Sequence, residues 1–404
     1  MAICKLRFTQ RVILNTKCRA RKKAVKDFCF PEGVHLNTSE QIIPKISFEN
    51  TFVFTLNGTA IDGKKLHKGN EFGWIYCICL KLNVPINRAP YRAPKILCFM
   101  TYYDYFDFFL HALWTISSLS QMSDNYFEVK PSLKAKNILK DLYETDIECL
   151  LNITVPSSNN NGLFTFKLAK YEAKNKAAAF LCPQMFSILT AHDLYNILCN
   201  ILLERSTIFV SKNLSLLSST ILAFCGLLSP FKWEHIVIPI VPNICLEMLE
   251  APVPFIMGIP KSVDEGVQLV NDNWCQDTMI VLLDIGKVMT CSGYKKIKMP
   301  RLNGLEKAIE MPIKLFKNSR PDYKLNAEQE KTVVGICKTI ENSLQKGIID
   351  KLPKEITGQE DRSLTHHKIL DTLVKGVEKA DKEFIEQFRE TQILYSFLEK
   401  YYVL

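Results

Sequence analysis

The sequence has no uncharged apolar run of about 18 residues, the length a helix needs to cross a bilayer. The nearest approach, Leu214 to Pro230, is broken by serines and closed by proline, so it reads as a buried helix. No secretory leader is apparent, and the fourteen cysteines form no CxxC pair. They stand singly at core-like positions such as Cys98, Cys199, Cys225 and Cys245, which predicts reduced thiols in a cytosolic protein rather than a disulfide framework. Cys77 and Cys79 share one face of a strand, but without a CxxC pair no zinc site is expected. The N-x-S/T triplets at Asn37, Asn57, Asn152 and Asn213 carry no weight in that setting. GxGxxG, GxxxxGK[ST], HExxH and GxSxG are all absent, which removes the minimal signals for dinucleotide binding, P-loop chemistry, zinc hydrolysis and serine hydrolysis. None of the seven histidines has a partner at metal-ligand spacing. No cofactor is implied.

What is present is a globular composition. Apolar residues make up 47% of 404, enough for two or three cores. The net charge of +9 has one source: residues 1–26 hold nine Lys/Arg and no acid, and the rest of the chain is balanced. The cluster Arg19-Ala-Arg21-Lys22-Lys23 suits either a solvated edge or contact with an anionic membrane surface.

Short strands are predicted near Ile3 to Phe8 and Arg11 to Leu14, then at Phe52 to Leu56, Phe72 to Leu82 and Ile96 to Tyr103. Asn57 to His67 reads as a hairpin, and Asp27 to Gly33 is an apolar run closed by a Pro-Glu-Gly turn. Phe106, Phe109, Leu110, Leu113 and Trp114 recur at helical spacing, with Asp104 placed to cap. An antiparallel meander with a helix on one face results. A helix at Leu133 to Tyr143 and a loop at Ser157 to Gly162 separate this meander from the rest of the chain, and Leu163 to Leu168 resumes as a strand.

From Asn196 to Gly258 the apolar runs alternate between long ones that suit helices (Leu214 to Leu228) and short β-branched ones that suit strands (Thr207 to Ser211, His235 to Val241). Such alternation marks an α/β layer, because a parallel strand is re-entered only through a crossover. The strands are apolar on both faces, so the sheet is expected to be covered on both. A further strand at Met279 to Leu283 ends in an Asp284-Ile-Gly286 turn. Beyond Leu305 the character becomes helical: Leu305 to Phe316, Glu328 to Leu344 and Asp371 to Leu404. Val333, Ile336, Ile340 and Leu344 form one stripe, and Phe384, Phe388, Leu394, Leu398 and Tyr401 another. Ile348 to His367 reads as a charged surface loop.

"LLERSTIFVSKNLSLLSSTILAF", "SPFKWEHIVIPIVP" and "LEAPVPFIMG", in that order, resemble the central segment of DENN domains. The start of the 106–117 helix resembles the upstream part of that module, and "FIEQFRETQILYSFLEKYY" the downstream part. The resemblance implies a bilobal α/β fold: a longin-like antiparallel lobe at 1–118, a linker at 119–162, a mostly parallel three-layer lobe at 163–300 and a helical extension at 301–404. It also implies a guanine-nucleotide exchange factor for a Rab-family small GTPase, cytoplasmic and attached peripherally to vesicle or endosomal membranes, with no bond-making chemistry of its own and no nucleic-acid partner. Carried over, the contact surface falls on the 105–116 helix and the 231–258 segment. Tyr105, Phe109, Lys232, Glu234, Glu250 and Phe255 are the candidates, each weighed against a purely structural role. Asp104 with Asp107, and Glu247 with Glu250, could act as paired acids, but capping a helix end explains them more simply. Trp233 and Pro239, Pro242, Pro252 and Pro254 read as scaffold. Two other functions stay open. Some relatives present a loop arginine for GTPase activation, and Arg88 and Arg92 before Ile96 are candidates for such a finger. A trafficking scaffold would rest on the basic N-terminus.

Overall fold

The computed structural model describes residues 25–33, 50–57, 73–85, 92–118, 120–122, 129–131, 153–156, 163–166, 173–271, 278–290, 294–297, 304–318, 325–352, 369, 371–375, 378–379 and 381–402. The strands expected at 3–8 and 11–14, the 57–67 hairpin loop, the 133–143 helix and the 157–162 loop lie outside them. The chain divides into two compact units. Unit 1 is 1–180 with 213–218 and 240–246; unit 2 is 181–212, 219–239 and 247–404.

Unit 1 is built on a three-stranded antiparallel sheet of β1 (Thr51–Asn57), β2 (Trp74–Pro85) and β3 (Arg92–Thr101), in that order. Both faces of the central strand are buried from Ile75 to Leu80, because each face has a cover. Helix α1 (Phe106–Ser118) lies over one face, with Phe106 against Tyr76 at 5.2 Å and Phe109 against Phe99 at 5.6 Å. The other face carries Phe52, Phe54, Cys77 and Cys79 by register. A helical turn at 25–29 covers it, stacking Phe28 on Phe54 at 5.3 Å, and Gly33 closes the turn at φ +90°. Two further hairpins follow in chain order, β4 (Ser120–Met122) with β5 (Val129–Pro131) and β6 (Ile153–Pro156) with β7 (Leu163–Phe166).

The cysteines of this unit are not scattered as the sequence suggested. Cys79 faces Cys98 across the β2–β3 ladder, and Cys29 and Cys77 lie beside them. Burial pushes the Cys79 thiol well up, and its neighbours Cys29 and Cys98 push it further, so this cluster is apolar filling. The nine described cysteines are free.

Unit 2 holds a five-stranded sheet. Helices α2 (Ala173–Ile188, entering unit 2 at Leu181) and α3 (Ala191–Leu202) lead into β8 (Thr207–Val210), and α4 (Leu214–Leu227, counted with unit 1 up to Ser218) crosses over to β9 (Ile236–Ile238). A 3₁₀ helix (Asn243–Glu250), whose first half is counted with unit 1, leads to β10 (Phe255–Ile259). Helix α5 (Val263–Asn271) then crosses to β11 (Met279–Leu282) and a hairpin reaches β12 (Lys287–Thr290). The order is β12-β11-β8-β10-β9, parallel except for β12. β8, β10 and β11 are buried at every residue, as their unbroken apolar composition requires.

Helices complete the unit: α6 (Leu305–Asn318), α7 (Ala327–Gly347), α8 (Lys382–Phe388) and α9 (Gln392–Tyr402). The stripe Val333, Ile336, Ile340 and Leu344 is buried on α7, as expected. The segment expected to be helical from Asp371 is so in pieces, because the chain turns at Arg389–Glu390 and Thr391 restarts the helix by accepting from Leu394 N–H. Two expectations fail here. Tyr401 is half exposed, stacked on Phe397 rather than buried in the stripe. Ile348, Ile349 and Leu352 are buried in a 3₁₀ turn, so the segment expected to be a surface loop begins as core. Among the described residues no helix is long and apolar enough to cross a membrane.

Candidate functional site

The sequence-predicted residues separate by burial. Phe109 and Phe255 are core side chains, 5% and 2% exposed, and so cannot themselves be surface contacts. Tyr105 is half-buried and stacks on Tyr103 at 5.7 Å, just ahead of α1 in unit 1. In unit 2, Lys232 and Glu234 pair with each other at 3.3 Å, and Glu250 is exposed. Because β9 and β10 run parallel, with Phe255 beside Ile236, the segments carrying Lys232, Glu234 and Glu250 arrive at the same, N-terminal end of the sheet. Arg88 lies outside the described residues, and Arg92 opens β3 opposite Pro85. Trp233 is buried and donates from Nε1 to the Ile236 carbonyl at 3.2 Å. Asp107 approaches His111 at 3.1 Å along α1. Glu247 and Glu250 belong to the 3₁₀ helix and are exposed.

The structure adds two constellations that sequence reasoning missed. The first is at the N-terminal end of the sheet. Glu204 sits at φ +53° in the turn that closes α3, where Glu204 N–H donates to Ile201 O at 2.9 Å and Arg205 N–H to Asn200 O at 3.1 Å. That is a Schellman closure with glutamate where glycine is usual. Its carboxylate accepts the first two N–H groups of α9, from Gln392 at 2.9 Å and Ile393 at 2.7 Å, and lies 3.1 Å from His235 Nε2. Arg205 donates to the Lys295 carbonyl and to Gln387 Oε1, and packs over the Tyr294 ring at 5.3 Å. Asn200, fully buried, donates to Thr207 Oγ1 and accepts from Tyr294 Oη. The "LLERS" stretch therefore docks the C-terminal helices.

The second constellation is at the opposite end, where β8, β10 and β11 terminate side by side. From β8 the chain crosses to the β9–β10 side, and from β10 it crosses back over β8 to β11. Such a switch point is where open α/β sheets present a binding edge. Asp284 closes it, accepting from the Ser211 hydroxyl at 2.5 Å and from Lys212 N–H at 3.2 Å. Gly286 follows at φ +60°. Ser262 and Glu265 form a reciprocal cap at the start of α5. The Glu265 carboxyl is held below its usual range first by the Ser262 hydroxyl and backbone N–H, and then by Lys261 and Lys212. Lys212, Asp264, Glu265, Asp284 and the apolar Ile285, 57% exposed, thus line one edge. The Asp284-Ile-Gly286 turn was the sequence signal for it. Asp284→Ala is expected to lower the unfolding free energy by about 2 kcal/mol, because it removes the charged acceptor of the buried Ser211 hydroxyl and of Lys212 N–H. Urea titration checks this; an unchanged midpoint would show that the contact is dispensable. Among the described residues, no three His, Cys, Asp or Glu side chains come together in a way that would hold a metal ion.

This ordered set of elements matches the model of the DENN (AEX-3) domain over residues 92–286. The chain carries a DENN domain. The matched span runs from β3 through the Gly286 turn, so it takes in Tyr105, Glu204, Arg205, both sheet ends and Asp284. Three relatives show the same family name. DENN domain-containing protein 2B of Mus musculus is 24% identical over 388 residues, covering 94% of this chain and 31% of its own length. DENN domain-containing protein 2A of Mus musculus is 22% identical, covering 94% and 35%. DENN domain-containing protein 2D of Homo sapiens is 25% identical over 287 residues, covering 69% and 53%. The chain spans about a third of the length of the first two.

Proposed function

We propose that this chain is a guanine-nucleotide exchange factor for a Rab-type small GTPase. The DENN match over residues 92–286 carries the reading. In this reading unit 1 is a longin-like lobe and unit 2 the parallel DENN lobe, with the helices beyond Leu305 as its downstream part. The action is binding rather than bond-making. Small GTPases hold nucleotide near the picomolar level, about −16 kcal/mol. Accelerating release by about 10⁴ requires about 5.5 kcal/mol of preference for the nucleotide-free partner, which an interface can supply without a reacting side chain. By linkage, nucleotide weakens the exchange factor's grip by the same factor. The candidate contacts in this reading are Tyr105 on unit 1 and, separately, Lys232, Glu234 and Glu250 on unit 2, while Phe109 and Phe255 belong to the cores of their own units. The exchange factor acts at the cytoplasmic face of vesicle membranes.

The test is release of a fluorescent GDP analogue from a panel of purified Rab proteins. At least one is expected to lose nucleotide 10²-fold or more faster, an effect of about 2.7 kcal/mol. Charge reversal at Lys232 together with Glu250→Lys is expected to remove most of it while thermal stability stays unchanged. If no Rab responds and hydrolysis accelerates instead, the exchange reading is wrong.

A further inference from the structure

Helix α6 has an apolar arc wider than its packing uses. Leu305, Ile309, Ile313 and Phe316 are buried, but Met311 and Leu315, one turn apart, are 61% and 64% exposed, with Ala308 exposed beside them. The solvent face of α7 carries Lys331, Lys338 and Lys346 at i, i+7 and i+15, with Gly335 and Asn342 between them, all exposed. Among the described residues none of these three lysines has an ion-pair partner. The two helices pack on each other, α6 also packs on α3, and each touches α2. Phe316 of α6 meets Phe186 at 6.4 Å, and Cys337 Sγ of α7 is 3.8 Å from Cys182 Sγ. Phe186 and Cys182 are one turn apart, so the faces of α6 and α7 turned away from α2 look out on the same side.

We propose that this α6–α7 face docks on an anionic phospholipid bilayer. Met311 and Leu315 enter the interfacial layer, as the apolar side of a surface helix does. Lys307, Lys314, Lys331, Lys338 and Lys346 meet the headgroups. Two carboxylates share the face, Glu328 and Glu310, and the second is held below its usual range by its hydrogen bond to Lys314. The charge on α7 is spread along about 22 Å of helix with neutral residues between, which suits a flat anionic surface better than a single complementary side-chain pocket. The proposal rests neither on the basic residues 1–26 nor on the exchange reading.

Flotation of the full chain with phosphatidylcholine vesicles, with and without about one-third phosphatidylserine, tests it, since each lysine near such a surface favours binding roughly five-fold. Binding is expected only with phosphatidylserine, and Lys331→Gln, Lys338→Gln and Lys346→Gln together should weaken it roughly 100-fold. Leu315→Trp, at an exposed site, is expected to be quenched by brominated acyl chains in the anionic vesicles. That signal should persist when Arg19, Arg21, Lys22 and Lys23 are all changed to Gln. A Leu315→Trp side chain that stays in water on vesicles that capture the chain overturns the proposal. So does self-association that disappears with Met311→Ser and Leu315→Ser while vesicle binding is absent, since the face would then be an interface between copies.

Discussion

Glu204→Ala is expected to lower the unfolding free energy by about 3 kcal/mol and to release α9 from the rest of unit 2. The side chain is only 11% exposed and accepts from Gln392 and Ile393 N–H. A hydrogen bond to a charged group contributes about 1.5–3 kcal/mol, and loss of a helix cap alone costs about 1 kcal/mol. The carboxylate also faces the positive end of the α9 dipole, where negative charge is favoured. Alanine removes all of this and leaves two N–H groups at the start of α9 without an acceptor.

The same position offers an internal control, because Glu204 holds φ at +53°. A left-handed backbone costs a residue bearing Cβ about 1–2 kcal/mol, a cost glycine avoids. Glu204→Gly should therefore be about 1 kcal/mol more stable than Glu204→Ala, yet still less stable than the wild type. Glu204→Gln, which keeps an acceptor but not the charge, should fall between Glu204→Ala and the wild type. Hydrogen exchange at residues 392–395 reports the site directly: protection should drop in the alanine and glycine variants before global unfolding. If the glycine variant matches or exceeds the wild type, the carboxylate does not hold α9.

This arrangement also shows where sequence reading succeeds and where it stops. The parallel layer was readable because β8, β10 and β11 are buried on both faces and their apolar runs are unbroken. The α7 stripe was readable because one helix face meets a core. What local pattern cannot show is partnership across long separations. Glu204 meets residues 188 and 189 positions away, and Ser211 meets Asp284 at a separation of 73. The cysteines looked isolated because Cys29, Cys79 and Cys98 converge only once strand register is set. Among the candidate contacts, Phe109 lies on a helix that is mostly buried and Phe255 opens a strand buried at every residue, so their hydrophobicity marked core rather than contact. The exposed apolar pair Met311 and Leu315 escaped notice for the opposite reason, since an apolar residue on a helix is read as core by default.

Gly266→Ala should destabilise the protein by about 2 kcal/mol, although helix propensity alone would make alanine better there by about 0.5–1 kcal/mol. A Cβ built at Gly266 lies 2.6 Å from Val210 Cγ1 and 3.0 Å from Cγ2, closer than packed carbons approach. Val210 is the last residue of β8 and fully buried, so neither it nor the backbone beneath can retreat without disturbing the β8–β10 and β8–β11 ladders. Glycine at this place lets α5 pack directly on the strand. Val210→Ala alone should cost about 2 kcal/mol by opening a cavity. In the double variant the new methyl fills the space the valine vacated, so its loss should be about 2 kcal/mol smaller than the sum of the two single losses, a coupling of the size expected for side chains in contact. Additive losses would show that α5 does not bear on β8 at this point. The consequence reaches the C-terminal edge of the sheet, because Val210 leads straight into Ser211 and Lys212, which Asp284 fixes. If that edge supports partner contact, Gly266→Ala should slow nucleotide release from the responsive Rab, and Val210→Ala added to it should restore part of the rate.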